Sequence, residues 1–141
     1  MKRWRLLLIA LAAIVIVAIG IRHVREKGAQ RKREVAYQLA LRSYSTALRP
    51  GMKRTEVEDY LRTRNVLFRQ MCCVDRKDLS YRTYDDLTKI GEEGAPWFCN
   101  EKNIYVAFQF AASESHQGAP TAGDSDRLRA VTIFPWLEEC L

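Results

Sequence analysis

The sequence has little that a catalytic or nucleotide-binding protein needs. It contains no P-loop and no dinucleotide fingerprint, and its glycines fall at turns. It has only two histidines: His23 sits in a basic stretch, and His116 lies in a small-polar loop with no sequence partner. Ser113 and Ser115 are too close to His116 in sequence to form a triad with it. No C-x₂-C or H-x₃-H spacing exists for zinc, so no metal site is expected. No internal repeat is present. Together these absences predict no catalytic residue, no cofactor and no enzyme.

Positive charge is missing where a nucleic-acid binder would need it. The net charge is +6, but residues 1–34 carry nine Lys/Arg against two Glu, a net of +7, and the remainder nets −1. A DNA-binding face belongs on the folded part, so nucleic acid is excluded as a partner.

What the sequence does have is an apolar run, Leu6 to Ile21, sixteen residues without a charge or a polar side chain, preceded by Lys2, Arg3 and Arg5 and followed by Arg22. As helix it covers about 24 Å, which Trp4, Arg22 and Val24 extend toward the ~30 Å of a hydrocarbon core. The reading is an uncleaved single-pass transmembrane signal-anchor. A cleaved signal peptide with its site at Ala18-Ile19-Gly20 competes with this, and a buried core helix competes less well. No cysteine stands directly after the run, so a lipoprotein acyl anchor is not available there. The expected organisation is a membrane anchor over 1–24, a basic juxtamembrane stalk over 25–33 and one domain over 34–141.

From Glu34 the pattern is amphipathic. Tyr37, Leu41, Tyr44 and Leu48 form a stripe, with Val35, Leu39 and Ala40 adjoining, and Pro50-Gly51 stops the helix. Thr55-x-x-Glu58 fits a capping box for a second helix buried through Val57, Tyr60 and Leu61, with Asn65 as its left-handed stop. Glu56, Glu58 and Asp59 complement that helix's dipole rather than forming a catalytic carboxylate pair. Strands are predicted over 66–71, 84–90, 104–110 and 128–136, with a turn over 91–96 and a loop over 112–126. Ile104, Val106, Phe108 and Phe110 share one face. The last strand is apolar on both faces, which suggests a central position, and Pro135 limits its pairing at the end. The fold class is α+β: an N-terminal transmembrane helix, then two helices packed on a three- or four-stranded antiparallel sheet.

The segment Leu48 to Leu61, LRPGMKRTEVEDYL, resembles the helix–Gly-Met–helix signature of the SmpA/OmlA family of small bacterial envelope domains, whose best-known member is a lipoprotein of the barrel-assembly machinery. The resemblance implies two helices on a short antiparallel sheet and an extracytoplasmic, non-enzymatic domain that works by protein contacts. The chain departs from that pattern in lacking a lipobox cysteine, in carrying Lys53 where threonine is usual, and in lacking a Gly-Pro after the second helix.

All four cysteines, Cys72, Cys73, Cys99 and Cys140, follow the apolar run, and an even count after an export-like segment favours disulfides. A bridge between sequence neighbours is strained, so Cys72 and Cys73 are expected to reach Cys99 and Cys140, in either pairing. Disulfides place the C-terminal domain outside the cytoplasm, against the positive-inside count of six Lys/Arg after the run and three before it. The expected location is therefore the inner membrane, single-pass, with a periplasmic C-terminal domain. The functional expectation is a membrane-anchored envelope protein with a binding or scaffold domain. Its partners would be the lipid bilayer and another envelope protein, met through the sheet face and Trp97, Phe98, Trp136 and Leu137. The alternatives are a thiol-redox protein using the vicinal cysteines and a cytoplasmic-facing, membrane-tethered regulator.

Overall fold

A computed structural model describes the backbone of residues 2–72, 74, 83–112 and 121–141. The chain divides into two compact units, Met1–Ala36 and Tyr37–Leu141.

The first unit corrects the sequence reading. The apolar run, the stalk and the first amphipathic helix are not separate elements: α1 is one helix over Lys2–Ala47, and Gly28 does not interrupt it. Among the described residues, no helix is long and apolar enough to cross a membrane. Charge sets that limit. The uncharged stretch is closed by Arg5 and Arg22, about 24 Å of helix, and α1 then continues through Arg25, Lys27 and residues 31–33, all basic. The expected transmembrane helix, the single-pass signal-anchor and the inner-membrane location with a periplasmic domain fall with it. Ile14, Ile16 and Ile19 are exposed on the helix surface, and Arg22 Nε donates to Glu26 Oε1 at 2.8 Å one turn on.

The second unit holds the last turns of α1, then α2 (Arg54–Thr63), β1 (Arg69–Cys72), β2 (Tyr84–Glu93), β3 (Cys99–Ala111) and β4 (Arg127–Cys140). The strands form one antiparallel meander in the order β1-β2-β3-β4. Tyr37 and Leu48 are buried and Leu41 and Tyr44 half-buried, so the four-three-four stripe does face the core, while Val35 and Leu39 are exposed. Leu48, Val57 and Leu61 meet Val106, Phe108, Phe110 and Leu128 in the main core. There the Tyr44 ring stands edge-on to Phe108 at 5.3 Å, an arrangement the ring quadrupoles favour. On the sheet's other face Leu87, Tyr105, Ala107 and Val74 form a second cluster, joined by Met71 and Phe134.

Three local expectations are also revised. The second helix is capped at Lys53 rather than Thr55: the Lys53 N–H donates to Glu56 at 2.6 Å, and Arg54 N–H is drawn to the Asp126 carbonyl at 2.8 Å. Pairing of Met52 and Gly51 with Leu128 fixes that start, a tertiary contact that outranks the local capping signal. β2 runs through the predicted turn to Glu93, with a register irregularity at Lys89/Gly91. β4 is an edge strand rather than a central one, and it continues past Pro135 to Cys140. An edge position is where a strand tolerates proline. Asn65 adopts φ 56° and Gly51 φ 93°, as their stop positions require.

Gly91 is needed for a different reason. A Cβ there would lie 2.6 Å from the Tyr37 ring, which packs directly on the β2 backbone. Gly91→Ala is expected to lower stability by roughly 1–3 kcal/mol through overpacking. The companion Gly91→Ala/Tyr37→Ala should show strong non-additivity in urea unfolding, since the two side chains compete for one space.

Candidate interaction site

The strand register decides the cysteine pairing. Cys99 opens β3 and Cys140 closes β4, and the two stand directly opposite each other with Cα atoms 4.0 Å apart and a disulfide between them. The expectation that both would bond to Cys72 and Cys73 is therefore corrected. Cys72, at the end of β1, is also disulfide-bonded, and there is no free cysteine among the described residues. Cys73 lies outside the described residues, as do Ser113, Ser115 and His116.

The four proposed contact residues separate into two places. Trp97 and Phe98 immediately precede Cys99, their rings edge-to-face at 5.8 Å, and Trp97 is 91% exposed. Leu141, fully exposed, joins them because its N–H donates to the Phe98 carbonyl at 2.9 Å. Trp136 and Leu137 lie further along β4, opposite Asn103 and Lys102. As strand neighbours they point to opposite faces: Trp136 stacks at 5.5 Å on Phe134, and Leu137 turns the other way. The tip of the sheet thus carries Trp97, Phe98 and Leu141 on backbone closed by the disulfide.

Sequence reasoning missed a buried polar cluster at the opposite end of β3 and β4. Arg54, on the first turn of α2, is 1% exposed. Its guanidinium donates to Asp86 Oδ1 at 2.7 Å, Thr83 Oγ1 at 3.1 Å and Asp126 Oδ2 at 3.3 Å, and also to the Tyr84 carbonyl. It lies 3.9 Å from the centre of the Phe110 ring, whose electron-rich face attracts the cation. The Thr83 hydroxyl and the Gly123 N–H also donate to Asp126. Asp85 accepts backbone N–H groups from Val74 at 3.0 Å and Phe110 at 2.9 Å. No sequence signal distinguishes Arg54 from its exposed neighbour Lys53, because its partners are 32 and 72 residues away.

Burial pushes the Asp86 carboxyl up to about 7, opposed by Arg54 and reinforced by Glu58. The folded state therefore holds a proton that the unfolded chain releases near the ordinary value of 3.8. Stability should fall as pH rises from about 4 to about 7, and Asp86→Asn should flatten that slope in thermal melts. An unchanged slope would place the dependence elsewhere. Among the described residues, no group of His, Cys, Asp and Glu is arranged to hold a metal ion.

Compared with known proteins, the chain matches no family model, no curated protein and no solved structure.

Proposed function

We propose that the chain is a non-enzymatic binding module that docks another protein through the disulfide-closed tip of its sheet. The observation that carries this reading is the exposure of Trp97, Phe98 and Leu141 together on a cross-linked backbone. Large aromatic side chains exposed to water are the residue types that serve as binding anchors. Holding them on a covalently closed strand pair reduces the conformational entropy lost on association. The partner is a protein with an apolar pocket, in a compartment oxidising enough to keep the bridge.

A photo-crosslinking amino acid in place of Trp97 tests this in cells. The expected result is one discrete covalent adduct with another protein, weakened by Phe98→Ser and absent when the crosslinker replaces Leu67, which is equally exposed away from the tip. No adduct at 97, or the same adduct from 67, would overturn the reading.

A further inference from the structure

The disulfide at Cys72 has one candidate partner in the chain. There are four cysteines, Cys99 and Cys140 are joined to each other, and Cys72 is disulfide-bonded. The only other cysteine is its neighbour, Cys73. The backbone around the pair agrees with such a bond. Cys72 is the last residue of β1, opposite Tyr84, and Val74 is already in a turn. Strand neighbours point to opposite faces, so a strand continued through the pair would hold the two sulfurs apart.

We infer that Cys72 and Cys73 form a vicinal disulfide that works as a reversible switch, opened by a dithiol reductant while Cys99–Cys140 stays closed. Two physical differences order the bonds. The sheet register sets Cys99 directly opposite Cys140, so folding holds those thiols together and favours their bond. Strand geometry does the reverse for the neighbouring pair. The Cys99–Cys140 bond also closes a loop of 41 residues, so breaking it costs stability. A bond between neighbours closes no loop, and opening it frees almost nothing in the unfolded chain.

In the opening step a thiolate of the reductant attacks one sulfur of the pair. The S–S bond breaks, and its electron pair leaves on the other sulfur, which takes up a proton. The reductant's second thiol then closes its own disulfide and releases the chain as a dithiol, so two electrons and two protons pass to the chain. The change is felt on either side of the pair. Met71 packs on the second cluster, to which the buried Val74 belongs. The Val74 N–H donates to Asp85 Oδ2 at 3.0 Å, and Asp85 Oδ1 accepts from the Phe110 N–H at 2.9 Å. With the bond open, β1 is no longer required to stop at Cys72, and this packing loosens. The switch acts at the end of the sheet away from Trp97 and Phe98, so it is separate from the docking tip.

The test is a dithiothreitol titration of the oxidised full chain, with thiols trapped by alkylation and located by peptide mass spectrometry. Before reductant, the peptide carrying Cys72 and Cys73 should be lighter than its dithiol form by two hydrogen atoms and joined to no other peptide. Both cysteines should then become alkylated at a dithiothreitol concentration roughly tenfold below that which opens Cys99–Cys140. At that lower concentration the protein should melt with the oxidised parent, while amide exchange at Val74 and Phe110 speeds up. A bond from Cys72 to any other peptide, free thiols at both positions before reductant, or opening of the two bonds together would each overturn the proposal. A lowered melting temperature at the first step, or unchanged exchange at both amides, would do the same.

Discussion

Replacing Arg54 by methionine is expected to cost about 3–5 kcal/mol, enough to remove much of the stability of a domain this size. Methionine keeps an apolar stem of similar reach but leaves the carboxyls of Asp86 and Asp126, both fully buried, without the guanidinium between them. Most of the loss comes from those stranded groups rather than from the value of the contacts themselves. Arg54→Met/Asp86→Asn should therefore be more stable than Arg54→Met alone, because one stranded carboxyl is replaced by a neutral amide. Arg54→Lys should fall between, since an ammonium cannot offer the planar fork that reaches Asp86, Thr83 and Asp126 at once. Urea unfolding followed by circular dichroism gives all three values. An Arg54→Met variant as stable as the parent would show that the cluster does not hold α2 to β2 and β4.

Reduction of the Cys99–Cys140 bridge should have the second largest effect. The bond joins residues 41 apart in sequence, and closing a loop of that length in the unfolded chain is worth roughly 3–4 kcal/mol. For a unit of about this size the melting temperature should drop by roughly 10–20 °C. Cys99→Ser/Cys140→Ser should reproduce the drop without reductant, which separates this bridge from the disulfide at Cys72. The outermost rungs, Cys99 to Glu101 against Glu138 to Cys140, should show the largest gain in amide exchange. If the double variant melts with the oxidised parent, the β3–β4 pairing is sufficient by itself. The bridge would then be needed only to fix Trp97, Phe98 and Leu141, and crosslinking from Trp97 would weaken without a stability change.

The two polar features act at opposite ends of the same strand pair. The Arg54 cluster fixes the start of β4 to α2 and β2, and the disulfide fixes its end to β3. Between them lies the free edge, which neither constraint covers. That edge carries two of the usual defences against pairing: Pro135, which offers no N–H, and an irregularity where Arg129 drops out of the pairing with β3.

Local order was written in the sequence. The alternation of Ile104, Val106, Phe108 and Phe110 marks β3, because strand side chains repeat every two residues whatever lies around them. The spacing of Tyr37, Leu41, Tyr44 and Leu48 marks the buried face of α1, and Pro50-Gly51 and Asn65 mark the ends of the two helices through backbone geometry alone. Composition likewise confined the excess of positive charge to the first 34 residues. Continuity and partnership were settled only by the tertiary structure. No local signal says that the apolar run, the basic stretch and the amphipathic stripe are one helix, since each segment is helical by itself. Pairing of Cys99 with Cys140, the edge position of β4 and the burial of Arg54 all depend on strand register, which brings together residues tens of positions apart. Periodicity reports which way a side chain faces; only the assembled sheet determines what it meets there.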